Sequence, residues 1–407
     1  MLKRRLSALV SDPEFGRQMR FVTGPRQAGK TTLARRILSD GGHEDLYFNW
    51  DTRAVRDRFR RDPYFFESAL RDASREGGNP WICLDEIHKM PKWKNLLKDY
   101  FDRFESIGRF IVTGSARMDW FRQSGDSLAG RYFLYRLFPL CLNECAGGEP
   151  SNPEPDREAA DYLGKVLDRT ANAEPALEPL LRFGGFPEPF TKASARFHLR
   201  WQRDLLDRVL REDIRDLTRI TSLENLARYL QLLPLRVGSP LSLNALRQDL
   251  ECSHTTVRTA TTALQFVYVI FMVPPFHERL ARSLRKEQKA YLFDWSRVPD
   301  PAARFENYVA LELKALVESW NDAGTADAGL WYTRNRDGRE TDFLITLDGK
   351  PWCLFEAKLS DGPIASHHFN HSRALGNIPV VQVARQPGVN RRDGETGFRV
   401  SAGRFFA

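Results

Sequence analysis

The sequence predicts an α/β protein in which a parallel sheet is sandwiched between helices, followed by a helical segment and a small α/β domain. Three observations predict this fold class. Residues 24–31 read Gly-Pro-Arg-Gln-Ala-Gly-Lys-Thr, a glycine-rich loop between a short apolar run and a helical pattern. The apolar run at 81–84 ends in two acids, as a buried parallel strand would. Near the C-terminus, residues 340–347 and 352–358 read as strands joined by an Asp-Gly turn.

The loop fits the G-x-x-x-x-G-K-[ST] pattern of P-loop nucleoside triphosphatases. Gly24 and Gly29 let successive backbone N–H groups point at phosphate oxygens, and the following helix adds the positive end of its dipole. Lys30 would bridge the β- and γ-phosphates of ATP, and the Thr31 hydroxyl would ligate Mg²⁺. The predicted nucleotide-binding residues are Gly24, Pro25, Arg26, Gln27, Ala28, Gly29, Lys30, Thr31 and Thr32.

The acids that end the apolar run predict the second half of the same site. Ligands of parallel sheets lie at the carboxyl ends of strands, which is where Asp85 and Glu86 fall. Asp85 would hold the Mg²⁺ shell opposite Thr31, and Glu86 would orient or deprotonate the attacking water. A second acid is not needed for a bare nucleotide switch, so its presence indicates ATP hydrolysis.

Two further positions are candidates for contact with the γ-phosphate. The strand at 109–113 ends in a polar turn, where Thr113 or Ser115 would contact the attacking water or the phosphate, or would be an ordinary turn residue. Arg131 opens another apolar stretch, and it could reach the γ-phosphate in the same chain or act on a neighbouring subunit as an arginine finger. An exposed arginine at a strand start is the alternative.

The segments GPRQAGKTTL, ICLDEIHK, FIVTGSAR and SLAGRYFLYRLFPL occur in this order through the first third of the chain. They resemble the successive motifs of the prokaryotic AAA-type ATPases that carry a C-terminal domain of unknown function. The resemblance implies an ATP-binding core with one extra strand between the loop strand and the Asp-Glu strand. It leaves open a homo-oligomer in which Arg131 would complete a neighbouring site.

Composition limits the function classes. No apolar run among the 407 residues approaches the roughly 20 that a membrane span needs, and the basic N-terminus is interrupted too early for a signal peptide. The net charge of +8 permits contact with nucleic acid but does not establish it. Five cysteines without metal spacing indicate a reducing cytoplasm.

The middle of the chain predicts a linker and then a winged helix. Residues 147–156 are rich in Gly and Pro, and a long helix is predicted from about 193 to 218. Short helices near 226–230, 242–250 and 253–264 precede a strand at 268–273, with Thr255, Thr256 and Arg258 leading the third helix. Such a module binds DNA or packs against protein, and the weak basic character of this helix favours the protein role.

The C-terminal hairpin brings acids together. A three-residue turn centred on Gly349 would put Asp342 opposite Glu356, with Lys358 on the same face and Glu306 approaching from a preceding helix. This set resembles the PD-(D/E)xK nuclease core, in which the acids bind Mg²⁺ and the lysine polarises the phosphate or the water. The alternative is a core kept as a docking platform that does not cut. The cluster His367-His368-Phe369-Asn370-His371 is interpreted as a solvated loop.

These predictions divide the chain into an ATPase domain (1–145), a linker and helical connector (146–220), a winged-helix-like domain (221–295) and a nuclease-like domain (296–407). The predicted function is Mg²⁺-dependent ATP hydrolysis that drives the C-terminal half on nucleic acid, such as DNA, or on a partner protein. The alternative is a slow ATP switch that signals through protein contacts. Neither version involves a membrane.

Overall fold

The chain folds into two compact units, formed by residues 4–138 and by residues 139–407 together with 1–3. This computed structural model describes residues 2–114, 128–147, 150, 153–169, 172–214, 223–277, 287–335 and 337–407. Ser115 and residues 215–218 of the predicted long helix lie outside the described residues. None of the helices in the described ranges is long and apolar enough to cross a bilayer.

The first unit contains a five-stranded sheet in which every pairing is parallel. The strands run in the order β2-β3-β4-β1-β5, so β4 separates the loop strand β1 from the Asp-Glu strand β3. The extra strand therefore lies where the resemblance implied. The strands are Met19–Thr23 (β1), Tyr47–Asn49 (β2), Trp81–Asp85 (β3), Arg109–Thr113 (β4) and Tyr132–Arg136 (β5).

Helices connect these strands and bury their apolar faces against the sheet. The helix after the loop buries Leu33, Ile37 and Leu38, which lie on one face because of their helical spacing. Its neighbours on the sheet, β1, β3 and β4, have almost wholly buried side chains, as strands covered on both faces require. The helices are Leu6–Ser11 (α1), Lys30–Asp40 (α2), Arg53–Arg61 (α3), Glu67–Gly77 (α4) and Trp93–Phe104 (α5).

The second unit begins with helices and a two-stranded hairpin. The predicted long helix is α-helical over Ala195–Arg208 and continues as a π-helix over Val209–Ile214. The three short helices and the strand predicted after it are present. The elements are Leu142–Cys145 (α6), Ala159–Asp168 (α7), Glu174–Phe183 (α8), Pro187–Lys192 (α9), Ala195–Arg208 (α10), Leu223–Leu232 (α11), Leu243–Asp249 (α12), His254–Phe266 (α13), Ile270–Val273 (β6) and Lys289–Leu292 (β7).

A six-stranded sheet of order β12-β13-β11-β10-β9-β8 forms the rest of this unit. From the edge strand β8 to β10 the neighbouring strands are antiparallel, whereas β10, β11 and β13 run parallel to one another. The elements are Pro301–Ala323 (α14), Ala328–Arg334 (β8), Glu340–Leu347 (β9), Lys350–Lys358 (β10), Ser366–Ala374 (α15), Val380–Ala384 (β11), Asn390–Asp393 (β12), Gly397–Ser401 (β13) and Ala402–Phe405 (α16).

The β9–β10 hairpin reaches the predicted pairing by a different turn. The three-residue turn is wrong: only Asp348 and Gly349 separate the strands, with φ values of 49° and 75°. Such a two-residue turn alone would offset the strands by one residue. A bulge between Pro351 and Cys353 compensates for that offset, and the register then pairs Phe343 with Phe355. One step further along this register, Asp342 lies opposite Glu356.

Candidate functional site

The phosphate loop follows β1 at the carboxyl end of the first sheet. Gly24 has φ 142° and Gly29 has φ 102°, conformations that L side chains rarely adopt. A Cβ on Gly24 would clash with the carbonyl oxygen of Leu137, so the residue after β5 leaves no room for a side chain there. Helix α2 begins at Lys30, which directs its first N–H groups toward the loop.

Two basic side chains contact the backbone of this loop. Lys30 donates from Nζ to the carbonyl oxygens of Gly24 (2.9 Å) and Pro25 (2.7 Å), and it is buried. Arg4 donates to the Ala28 carbonyl at 2.7 Å and to the Phe138 carbonyl at 2.5 Å. The loop is therefore held in shape by charged side chains and a helix start, while Thr31 and Thr32 lie exposed at its end.

Asp85 is the point where four elements converge. Its carboxylate is buried and accepts hydrogen bonds from the hydroxyls of Thr31 (2.9 Å), Tyr47 and Thr113. Burial and the bond to Asp85 raise the pKa of Tyr47, which keeps its hydroxyl protonated as a donor. Hydroxyl and carboxylate oxygens are the ligands that Mg²⁺ prefers, so Thr31 and Asp85 fit the predicted metal.

Glu86 lies one residue beyond the strand in the left-handed conformation (φ 59°). Its backbone N–H donates to the Thr113 carbonyl, and its carboxylate lies 3.3 Å from Lys89 Nζ and 3.6 Å from His88 Nε2. Burial raises the pKa of the Glu86 carboxyl, although the charges of Lys89 and Lys30 oppose that rise. A raised carboxyl pKa suits a group that takes a proton from water near neutral pH.

The structure does not bring Arg131 to this site. Arg131 precedes β5, whose first residue pairs with Met19, whereas the loop follows Thr23 at the other end of β1. The two ends of that strand are about 13 Å apart at ~3.3 Å per residue. Arg131 instead forms a two-point ion pair with Asp102, at 2.8 and 3.2 Å. Contact with the γ-phosphate in the same chain is therefore wrong, and the role in a neighbouring subunit stays a prediction.

Sequence reasoning missed two residues at the loop end of the sheet. Tyr47 reaches Asp85 from the edge strand β2, and Arg136 pairs with Thr23 at the carboxyl end of β5. Arg136 is thus the arginine of β5 that lies beside the loop. An arginine five residues after Arg131 in the same motif is the signal that could have identified it.

The second unit brings its predicted acids together. The Asp342 backbone N–H donates to Glu356 Oε2 at 3.4 Å, and the Ala357 N–H donates to Asp342 Oδ2 at 3.0 Å. Lys358 donates to Glu356 Oε1 at 2.6 Å and is half exposed. Burial raises the pKa of Asp342 to about 7, with the Glu356 charge adding to that effect.

Lys289, which the sequence analysis did not single out, lies among these acids. Its Nζ is 2.5 Å from Glu340 Oε1, 3.2 Å from Glu306 Oε1 and 3.7 Å from Asp342 Oδ1. Tyr291 also donates to Glu306 Oε1, at 2.7 Å. Among the described residues, no group of three or more His, Cys, Asp or Glu is arranged to hold a metal ion. Two of the acids that were predicted to bind Mg²⁺, Glu306 and Asp342, thus contact the ammonium group of Lys289, whereas Glu356 contacts Lys358.

The histidine cluster is not a solvated loop, so that interpretation is wrong. It forms helix α15, in which His368 and His371 are buried. Both Nδ1 atoms lie 2.8 Å from the Thr341 hydroxyl, and His368 Nε2 lies 3.7 Å from Glu356 Oε2. The pair faces the acids of β9 and β10 because residues three apart share one face of a helix.

Two family models match parts of the chain. A model described as an AAA domain matches residues 16–146, and one described as a domain of unknown function matches residues 174–298. The first match covers the sheet, the loop and the acids of the first unit. That unit has the AAA-type P-loop fold. The second match covers Lys289 and ends before the acids that surround it.

Relatives with known sequences span most of the chain. Uncharacterized proteins of Mycobacterium tuberculosis and Mycobacterium bovis are each 27% identical over 380 residues, covering 89% of this chain and 75% of theirs. Among solved structures, the Aeropyrum pernix ORC1 protein in complex with DNA is 16% identical, with 75% and 91% coverage and a TM-score of 0.25. The replication initiator DnaA bound to AMPPCP and single-stranded DNA is 15% identical, with 64% and 85% coverage and a TM-score of 0.30. Structural similarity at TM-scores this low gives no information about the function of this protein.

Proposed function

We propose that the protein binds ATP at the loop of residues 24–32 and hydrolyses it with Mg²⁺. The observation that carries this proposal is the convergence of the Thr31 hydroxyl and the Asp85 carboxylate beside a loop whose glycines and helix start suit a phosphate chain. The AAA domain match over residues 16–146 supports the same activity.

Each side chain would contribute a separate part of the chemistry. Lys30 would exchange its loop carbonyls for the β- and γ-phosphates, and the loop N–H groups would donate hydrogen bonds to other phosphate oxygens. Thr31 and Asp85 would hold Mg²⁺, which supplies charge neutralisation on the phosphate oxygens. Glu86 would take the proton of the attacking water. Thr113 fixes the orientation of Asp85 through its hydroxyl.

The energy of hydrolysis would be used by the second unit on nucleic acid or on a partner protein, in a cytoplasmic setting. Helices α11, α12 and α13 with the β6–β7 pair support a winged-helix module. Helix α14 before the antiparallel strands β8, β9 and β10, with β11 running parallel to β10, supports the PD-(D/E)xK-type core. A homo-oligomer would give Arg131 a site to act on.

The proposal is tested by removing the lysine of the loop. Lys30→Ala should abolish binding of a non-hydrolysable ATP analogue in calorimetry, because no other side chain of the loop offers an ammonium group to the phosphates. Lys98→Ala, at an exposed position on helix α5, is the matched control and should bind like the wild type. Unchanged binding by Lys30→Ala would remove the basis for the whole assignment.

A second candidate function is a slow ATP switch whose C-terminal unit is a platform that does not cleave. The observation that favours it is the ammonium group of Lys289 among the acids of that unit. Stimulation of ATP hydrolysis by DNA or RNA would favour action on nucleic acid. A slow rate that responds only to a protein partner would favour the switch.

A further inference from the structure

Three acids of the second unit surround one buried cation, the ammonium group of Lys289. Three carboxylates, those of Glu306, Glu340 and Asp342, each place an oxygen within 3.7 Å of Lys289 Nζ. The Lys289 side chain is only 1% exposed, so water does not screen these contacts. Lysine is almost never fully buried unless it is paired, so these contacts are part of the core of the fold and are not a surface ion pair.

We propose that Lys289 is the built-in counter-ion of this cluster, and that its ammonium group stands where a divalent metal would have to bind and so prevents metal-dependent cleavage by the PD-(D/E)xK-type core. This inference concerns the second unit and does not depend on ATP hydrolysis by the first. It replaces the predicted Mg²⁺ ligation by Glu306 and Asp342 with ion pairing to Lys289, and it leaves Glu356 without these two partners in a metal site.

The geometry explains why metal and lysine exclude each other. A Mg²⁺ ion needs oxygen ligands at roughly 2.0–2.1 Å in an octahedral set. The Glu306 and Asp342 oxygens that would supply two of them already face the ammonium group at 3.2 and 3.7 Å. An ion bound to both oxygens would therefore lie within a few ångströms of a buried positive charge, where repulsion is strong.

Lys289 is anchored by its backbone as well as by its charge. It opens β7, pairs with Val273 of β6 and forms a further bridge to Pro240. Its ammonium group also lies 5.5 Å from the centre of the Tyr332 ring. To leave the cluster, the side chain would have to abandon three carboxylates and a ring from a strand that is hydrogen-bonded on both sides.

The second lysine of the site provides a contrast within the same fold. Lys358 is 51% exposed and contacts Glu356 at the open end of β10, as the lysine of an E-x-K motif would. Burial opposes the charge of Lys289, yet the charges of Glu306, Asp342 and Glu340 outweigh burial and raise its pKa. Lys289 therefore stays charged at any physiological pH, and its role differs from that of Lys358.

Lys289→Met removes the charge but keeps the apolar length of the side chain. In the full-length protein it should lower the melting temperature by several degrees in EDTA at neutral pH, because three acids lose their counter-ion. Adding Mn²⁺ should restore much of that loss, since a divalent ion can then enter. Lys358→Met is the matched control and should show a smaller loss and no recovery with Mn²⁺.

The wild-type protein gives the decisive test, because its result does not depend on whether a variant folds. Electron paramagnetic resonance without nucleotide measures Mn²⁺ binding, which should be the same for the wild type and for Asp342→Asn. In a separate assay, the wild-type protein should not cut single- or double-stranded DNA or RNA with Mg²⁺ or Mn²⁺. Mn²⁺ binding or cleavage that Asp342→Asn abolishes would overturn the proposal. So would a folded Lys289→Met protein that gains no response to Mn²⁺. If Lys289→Met does not fold, the charge-matched pair Lys289→Met with Glu340→Gln replaces it.

Discussion

Asp85 in the P-loop unit and the acids around Lys289 in the second unit differ in the groups that contact their carboxylates. In the P-loop unit, the Asp85 carboxylate accepts hydrogen bonds from the hydroxyls of Thr31, Tyr47 and Thr113. In the second unit, Lys289 places a full positive charge among three carboxylates. Hydroxyls are neutral dipoles that can share a carboxylate with a metal ion, whereas an ammonium group competes with the metal for it.

The size of this effect explains why similar residue types give different chemistry. A monovalent and a divalent cation about 4 Å apart repel each other by on the order of 8 kcal/mol at an effective dielectric constant of 20. The residues around the acids, more than the acids themselves, therefore decide whether a metal enters.

The same substitution at both clusters should give the largest contrast. Glu86→Gln should lower the rate of ATP hydrolysis by roughly 10²–10⁴-fold because the attacking water loses its base, while ATP binding is retained. Glu356→Gln should leave that rate unchanged. Steady-state hydrolysis and calorimetry with an ATP analogue measure the two quantities. Equal effects of the two variants would contradict the division of roles.

Acid titration should give a smaller effect, and it concerns His368 beside Glu356 in the second unit. Burial lowers the pKa of His368 to about 3, with the charges of His367, Lys358 and His371 adding to the effect, so the ring is neutral beside Glu356 in the folded state. The unfolded chain takes up this proton near pH 6.5. The stability that His368 contributes is therefore present above pH 6.5 and is lost as pH falls toward 3, by at most about 1.4 kcal/mol per pH unit.

This dependence is measured by urea unfolding of wild-type protein and of His368→Gln between pH 7 and 4. The variant should show a smaller decrease in unfolding free energy as pH falls. His254→Gln, at an exposed position, is the control and should follow the wild type. Parallel curves for all three proteins would mean that His368 takes up its proton as readily in the folded state as in the unfolded state, which would contradict the lowered pKa.

The sequence predicts the P-loop unit well because its signals are local. The loop, the strand before it and the acids after β3 each occupy a few consecutive residues, and the parallel sheet brings them together in a standard way. Tyr47 could not be found, since one tyrosine on a short edge strand looks like ordinary packing. The same-chain contact of Arg131 was wrong because Arg131 precedes β5, whereas the loop lies at the carboxyl ends of the parallel strands.

The C-terminal cluster was predictable only in part because its cation comes from elsewhere in the chain. Glu306, Asp342 and Glu356 occur in the order of the acids in the PD-(D/E)xK core. Lys289 precedes the first of them by 17 positions, and it stands at the start of an apolar strand, where a lysine is usually exposed. Only the tertiary fold buries it among the acids. The histidines were misread because their polar composition hid a helix whose buried positions lie three residues apart.

The turn of the β9–β10 hairpin offers the smallest and most local test of how the second cluster is assembled. Gly349 has φ 75°, so Gly349→Ala should reduce the free energy of unfolding by about 1–2 kcal/mol because a side chain disfavours the left-handed conformation. Gly362→Ala is the matched control, since a Cβ there would meet nothing within 4 Å and its φ is not in that region.

Urea unfolding of both variants measures this difference. The result also bears on the Asp342–Glu356 contact, because the turn helps to set the register of the two strands. The bulge between Pro351 and Cys353 brings the two acids opposite each other only if the two-residue turn sets the offset that it corrects. A Gly349→Ala protein as stable as Gly362→Ala would show that the bulge and the contacts of Lys289 hold the register without the turn. A loss specific to Gly349→Ala would show that the local turn contributes to assembling the acids.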